Sequence, residues 1–187
     1  MNRTARLTFA AIVPCVLLTG CVAFTKAIHY PDRRPAEPEI QAVADRLTAV
    51  AGVEAVSVTV WGAIDDRLPI VSPVAVIRGD DEILIHAIFV RLYDGRKDAL
   101  AVLFGHELGH RLAGYASDPE GEARADAFGV ILAAKAGFDP WEGAVWECAM
   151  FKANDRQNRL DEVHPPAAHR CRVLYAAAAI ATRRNAP

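Results

Sequence analysis

The stretch His106-Glu107-Leu108-Gly109-His110 lies inside an Ala- and Leu-rich segment, residues 97–115, that we predict to be helical. A spacing of four residues places the two imidazoles on one face of a helix, about one turn apart, so that both can bind one ion. Glu107 is placed to hold a water molecule against that ion and to take its proton. The alternative is a helix with ordinary surface histidines. We interpret the stretch as half of a zinc site.

A catalytic zinc site needs three protein ligands and one open position. Ala113 and Ala116 stand where the metzincin pattern would require glycine and histidine, so the third ligand must come from elsewhere. Glu122, which opens the next predicted helix, is the better candidate. Asp126 lies one turn further on the same face, where its carboxylate can accept the outer N–H of either histidine. For each carboxylate the alternative is a solvated helix charge.

The composition of the 187-residue chain, 52% apolar and 24% charged, fits one compact domain and excludes a fibrous or disordered protein. The 21 Lys and Arg residues and 23 Asp and Glu residues give a net charge of −2. Such a balance creates no positive field to attract a nucleic acid. We therefore expect no nucleic-acid partner.

The first residues have the pattern of a secretory signal: two arginines by position 6, an apolar run over 7–18, and then Thr19-Gly20-Cys21. The small residues before the cysteine resemble the lipobox of bacterial lipoproteins, in which that cysteine becomes the acylated first residue. An uncleaved membrane anchor is the alternative, but the apolar run spans only about 18 Å of a ~30 Å bilayer core. We expect residues 1–20 to be a signal peptide and Cys21 to be lipidated.

The remaining chain is predicted to comprise a charged, proline-containing tether over 21–37 and a catalytic domain over 38–187. Acyl chains on Cys21 would hold the protein on a membrane surface without a spanning helix. Val22 is not the acidic residue that favours inner-membrane retention in the lipoproteins that this N-terminus resembles. We expect a protein of the bacterial cell envelope that faces the periplasm, anchored in the outer membrane.

The chain has four cysteines, of which Cys15 leaves with the signal peptide and Cys21 is acylated in this interpretation. Cys148 and Cys171 then remain. In an oxidising compartment such a pair indicates a disulfide, which stabilises the fold by about 3 kcal/mol. Two buried free thiols are the alternative. We predict the disulfide.

Extended segments precede most of the helices in this sequence, which predicts an α+β fold with a small N-terminal sheet and a helical half that carries the two histidines. A glycine-containing turn at 79–81 joins two of the strands as a hairpin. The predicted strands cover 53–61, 73–78 and 82–92, and the predicted helices cover 38–51, 97–115, 122–136, 140–154 and 165–183.

Three separated motifs resemble those of the gluzincin zinc peptidases, within them the HtpX-like and CAAX-prenyl-protease-like group. They are His106-Glu107-Leu108-Gly109-His110, then Glu122 to Asp126 followed by Ala136-Gly137-Phe138-Asp139-Pro140, and then His164-Pro165 with Arg170 six positions beyond the histidine. The resemblance covers roughly residues 53–181 and implies a zincin-like fold. Two departures stand out: only eleven residues separate His110 from Glu122, and the Asn-Ala element that commonly precedes the edge strand is missing.

The resemblance also implies a role for each site residue. One zinc ion would be bound by His106, His110 and Glu122, and Glu107 would act as general base and acid. Asp126 would lie behind the ligands, and Arg170 would pair with a group nearby. His164 would lie near the open position of the metal or near the oxyanion. A plain alternative is that His164 only precedes a helix that begins with proline.

These observations together predict a membrane-anchored zinc endopeptidase that cleaves proteins or peptides of the cell envelope. We expect an extended substrate to pair with the segment 82–92. A non-catalytic zinc lipoprotein with a binding or chaperone-like role is the main alternative, and a small-molecule hydrolase is another. An open fourth position on the metal would indicate a catalytic site, and a closed one a structural site.

Overall fold

The computed structural model describes residues 32–62, 75–78, 81–156 and 164–184. Within them lie a four-stranded sheet, mostly on the N-terminal side, and six helices, which confirms the α+β class. The strands are β1 (Arg34–Pro35), β2 (Ser57–Trp61), β3 (Ala75–Arg78) and β4 (Glu82–His86). The helices are α1 (Pro38–Ala51), α2 (Ala87–Leu92), α3 (Lys97–Ala113), α4 (Pro119–Lys135), α5 (Pro140–Arg156) and α6 (Ala167–Arg184).

The sheet has the strand order β1-β2-β4-β3. β3 and β4 pair antiparallel, as the predicted hairpin requires, whereas β2 and β4 pair parallel. β4 therefore has a hydrogen-bonded neighbour on each side, and β3 is an edge among the described strands. The expectation that a substrate pairs with the segment 82–92 is wrong, because the backbone groups of β4 already bond to β2 and β3.

The predicted strand 82–92 is in fact two elements. β4 ends at His86, and the chain turns directly into α2 (Ala87–Leu92). The Nδ1 atom of His86 accepts a hydrogen bond from the backbone N–H of Ile88 at 3.2 Å and so caps the first turn of α2. The apolar side chains of this segment fit a strand and a buried helix equally well, which is why the sequence pattern did not separate them.

The end of the predicted tether belongs to the folded domain. β1 pairs antiparallel with β2, and the backbone N–H of Ala36 donates to the carbonyl of Val58 at 3.0 Å. Arg33 forms an ion pair with Glu82 on β4. The domain thus begins a few residues before position 38. Cys21 and the predicted signal peptide lie outside the described residues.

The core forms where α3 packs against α1, α4, α5 and the sheet. Several α3 side chains are fully or almost fully buried there, among them Leu100, Val102, Phe104 and Leu108. Burial of one such side chain contributes about 1.5 to 3 kcal/mol to stability. No helix in the described ranges has the length and apolar character needed to cross a bilayer.

The helices that follow α3 start and end close to the predicted positions. α4 begins at Pro119 rather than Glu122, because Asp118 caps it: its side chain accepts from the backbone N–H of Gly121 at 2.7 Å. A disulfide between Cys148 on α5 and Cys171 on α6 joins these two helices, with 5.0 Å between their Cα atoms. The predicted disulfide is confirmed.

Candidate metal centre

The centre forms because α3 and α4 approach each other closely. A Cβ atom at Gly105 on α3 would lie 2.8 Å from the Cα atom of Gly129 on α4, and one at Gly129 would lie 2.6 Å from the carbonyl oxygen of Val102. Only glycines allow the two backbones to touch at this crossing. The contact brings the histidine-bearing face of α3 against the first turns of α4.

Three predicted ligands meet at this contact. The Nε2 atom of His106 lies 3.4 Å from Oε2 of Glu122, and Nε2 of His110 lies 3.3 Å from Oε1 of the same carboxylate. The two Nε2 atoms are 3.1 Å apart. One ligand atom from each residue lies within 4.8 Å of the others, so His106, His110 and Glu122 could hold a metal ion.

The outer nitrogen of each histidine has a partner that can only accept. Nδ1 of His106 donates to Oδ1 of Asp126 at 2.9 Å, and Nδ1 of His110 donates to the carbonyl oxygen of Tyr115 at 3.0 Å. Each Nδ1 therefore carries a hydrogen, and the Nε2 atom of a neutral ring has a free lone pair directed towards Glu122. This is the tautomer that a metal ligand requires.

The donor atoms fit a divalent cation. Glu122 is only 3% exposed, and its buried Oε2 atom has no hydrogen-bond partner among the described residues. A buried carboxylate oxygen without a hydrogen-bond partner is costly. Two imidazoles and one carboxylate are a donor set that zinc accepts in proteins. A cation between the three ligand atoms would remove this penalty.

The charge state of Glu122 suits a ligand. Burial works to raise its pKa, but the nearby ring nitrogens of His106 and His110, with the charge of His106, outweigh burial and hold the pKa well below the usual range of a carboxyl. Glu122 is therefore ionised across the physiological pH range and can bind a cation without first losing a proton.

Glu107 follows His106 on α3 but is not a member of the metal-binding group. Its side chain is half-buried. Burial raises the pKa of Glu107 to about 7, against the opposing charges of His106 and His110. A carboxyl with a pKa near neutrality can both take and return a proton at physiological pH.

Asp126 is held from its far side by Arg170. Nε of Arg170 donates to Oδ2 of Asp126 at 2.7 Å, and Nη2 donates to Oδ1 at 2.6 Å. The guanidinium also lies over the ring of Phe151, 3.7 Å from its centroid. Burial would raise the pKa of Asp126, but the bonds and charge of Arg170, with help from His106, lower it. The carboxylate is thus fixed and ionised behind His106.

His164 lies at the rim of the centre. Its Nε2 atom is 3.5 Å from Oε2 of Glu122, and its side chain is 42% exposed, whereas that of Glu122 is 4% exposed. The histidine therefore borders both the buried carboxylate and solvent. The structure thus places His164 beside the predicted ligand Glu122.

Two features of the centre gave no signal in the sequence. One is the carbonyl of Tyr115, which accepts the hydrogen bond from Nδ1 of His110. The other is Glu147 on α5, which is 3% exposed and accepts a 2.7 Å hydrogen bond from the hydroxyl of Tyr93. Burial raises the pKa of Glu147 to about 7, while Tyr93 and Arg170 oppose the rise. Glu147 and Arg170, the partner of Asp126, thus affect each other's pKa through their charges.

No protein-family model matches this chain, and no curated protein matches its sequence. The function therefore has to be inferred from the residues of the centre and their arrangement.

Proposed function

We propose that this chain is a zinc-dependent endopeptidase of the gluzincin type, with a zincin-like fold and with His106, His110 and Glu122 as the zinc ligands. The convergence of two Nε2 atoms and one ionised, buried carboxylate carries the proposal. The order of the motifs, which resembles that of the gluzincins, supports it. Bound zinc lowers the pKa of a coordinated water towards ~7 and polarises a carbonyl.

Glu107 is the proposed general base and acid. It neighbours the ligand His106 without belonging to the ligand group, and its pKa of about 7 suits proton transfer near neutral pH. The carboxylate takes a proton from the attacking water and returns it to the amine that leaves when the peptide bond breaks. Such a group contributes about 100-fold to 10,000-fold to the rate.

His164 is the proposed partner of the substrate's developing oxyanion. Its exposed position beside Glu122 leaves the ring accessible to a bound peptide, and an N–H from this ring can stabilise negative charge on the carbonyl oxygen. Asp126 and Arg170 act behind the ligands, where they keep the His106 ring in its metal-binding tautomer.

The peptide substrate would add a strand to β3, which is an edge of the sheet in the described part of the chain. Main-chain hydrogen bonds to an edge strand hold a peptide extended and largely independent of its sequence. The disulfide and the lipobox-like N-terminus support an oxidising, membrane-attached location, so the proposed substrates are proteins or peptides of the cell envelope.

The variant Glu107→Gln tests the proposed mechanism. The parent protein and the variant should each bind one zinc ion by elemental analysis, because Glu107 is not a ligand. Only the parent should cleave an unstructured protein such as casein, and mass spectrometry of the products would give the bonds that are cut. Glu120→Gln is the matched control, since Glu120 is an exposed α4 carboxylate paired with Arg124. Cleavage by Glu107→Gln at the parent's rate would contradict the assignment of the base.

A non-catalytic zinc lipoprotein is the second candidate, and the position of His164 favours it. A ring 3.5 Å from Glu122 could serve as a fourth ligand and close the site. The absorption spectrum of the cobalt-substituted protein separates the two candidates. A hydroxamate should change the spectrum of an open site and leave that of a closed site as it was.

A further inference from the structure

We propose that Gly121 is a positioning residue of the metal centre, an inference that rests on the proposed metal site. Because Gly121 lacks a side chain, the turn that follows α3 can fold against the first turn of α4. In that position the turn presents the carbonyl of Tyr115 to His110. Gly121 thereby acts on a ligand from the other helix without touching the metal.

The contact at Gly121 is with backbone alone. A Cβ atom there would overlap the carbonyl oxygen of Ala116, and it would lie 2.8 Å from the carbonyl carbon and 2.9 Å from the nitrogen of the same residue. No other glycine of the described residues comes as close to its neighbours. Rotation of a side chain cannot relieve an overlap with backbone, so any larger residue must displace Ala116.

A displacement of Ala116 reaches His110 directly. The nitrogen of Ala116 and the carbonyl of Tyr115 belong to one planar peptide group, which moves as a unit. That carbonyl accepts the 3.0 Å hydrogen bond from Nδ1 of His110. A shift of the peptide group therefore lengthens or breaks the bond that fixes the ring of His110.

The same turn also fixes the start of α4. The side chain of Asp118 accepts from the N–H of Gly121 at 2.7 Å, and the N–H of Glu122 donates to the carbonyl of Asp118 at 2.8 Å. Only eleven residues connect His110 to Glu122, so this short connection restricts how the two residues can be placed relative to each other. One tight turn thus sets the positions of ligands on both helices.

Helix stability does not explain a glycine at this position. Gly121 lies in the first turn of α4, and glycine is a poorer helix former than alanine. The steric demand of the Ala116 backbone does explain it. The glycine is therefore expected to matter for the geometry of the centre rather than for the helix.

The test compares Gly121→Ala with the parent in zinc affinity, measured by competition with a chromophoric chelator, and in the ¹⁵N NMR signals of the His110 ring. We expect affinity to fall about tenfold to a hundredfold, as for loss of a partner behind a metal ligand, and the Nδ1–H signal of His110 to shift or disappear. The signal of His106, whose partner is Asp126, should change less.

Gly143→Ala is the matched control. A Cβ atom at Gly143 would lie 2.5 Å from Cγ2 of Val102 and 2.8 Å from the carbonyl oxygen of Asp98, a clash between α5 and α3 away from the turn. This variant should lose stability and keep its zinc affinity. An equal loss of affinity in both variants would overturn the proposal, because the effect would then be general destabilisation.

A second variant decides the matter if Gly121→Ala does not fold. Insertion of Gly-Ser after Ala116 keeps Gly121 but separates the Tyr115 carbonyl from α4, and it should cause the same loss of affinity and the same change at His110. Parent-like affinity with an unchanged His110 signal, in whichever variant folds, would overturn the proposal. A parent that binds zinc but cleaves no peptide would contradict the proposed function alone, and a parent that binds no zinc would contradict both.

Discussion

Two outer acceptors, Asp126 and the Tyr115 carbonyl, decide which nitrogen of each histidine faces Glu122. Asp126→Ala removes the first of them, so the ring of His106 loses both its orientation and its tautomer preference. Zinc affinity should fall about tenfold to a hundredfold in a chelator competition assay. Asp45→Ala, at an exposed aspartate on α1, is the control and should leave the affinity unchanged. Equal affinities for parent and Asp126→Ala would contradict the role of Asp126.

Protons compete with a cation for this centre. Burial alone would lower the pKa of His106, but its hydrogen bond with Asp126 and its contact with Glu122 outweigh burial and raise the pKa to about 10. Without a cation the ring therefore holds a second proton at pH 7, which binding must displace. Zinc affinity should rise between pH 6 and pH 8, by about tenfold per pH unit for one displaced proton. Competition titrations across this pH range measure the affinity. A zinc affinity that does not change with pH would contradict the prediction, because no proton would then be released on binding.

The residues of the centre differ in how far the sequence could predict them. His106 and His110, and likewise Glu122 and Asp126, stand four residues apart, and this helical spacing predicted each pair. The resemblance to the gluzincins implied that the two pairs meet. The carbonyl of Tyr115 could not be predicted, because every residue has a carbonyl and only the path of the turn selects one. The pairing of Glu147 with Tyr93 joins residues 54 positions apart, and no local pattern reports such a contact.

At the level of elements, the sequence located the long helices to within a few residues but misread the segment after β3. Ile83, Leu84 and Ile85 are all fully buried because β4 lies inside the sheet and both of its faces are covered. The apolar run continues into α2, so periodicity gives no sign of the boundary. The signal is the cap at His86, and histidine is not among the residues that favour that position.

The α5–α6 pair offers a prediction at the same scale. The disulfide between Cys148 and Cys171 closes a loop with a sequence separation of 23, next to the buried Arg170. Replacement of both cysteines by alanine should lower the free energy of unfolding by about 3 kcal/mol, because the unfolded chain regains the entropy of the open loop. Urea unfolding of oxidised parent and double variant measures the difference. As a control, dithiothreitol should destabilise the parent and leave the stability of the variant unchanged. If the parent without reductant and the variant gave the same urea unfolding curve, the prediction would be contradicted.

For the whole molecule, the α+β class followed from the order of the predicted segments, whereas the sheet topology did not. The parallel pairing of β2 with β4 depends on how the chain between them returns, and the sequence pattern of each strand is compatible with either neighbour. This is why a substrate was expected to pair with the segment 82–92, which contains the inner strand β4. Proximity of Glu122 to the histidines was easier to predict, since one short turn joins their helices.

Metal binding should stabilise the entire fold, because the ligands come from two helices that meet only when the chain is folded. A ligand at 100 times its Kd adds about 2.7 kcal/mol to the free energy of unfolding, which raises the Tm of a domain of this size by about 5 to 11 °C. Zinc should therefore raise the Tm of the parent in a calorimetric scan, and a chelator should reverse the rise. Glu122→Gln should lose most of this response, since a ligand charge is removed. Glu107→Gln should keep the zinc-dependent rise in Tm. If this variant lost as much of the rise as Glu122→Gln, Glu107 would be a metal ligand. It could then not be the free base that the proposed reaction needs.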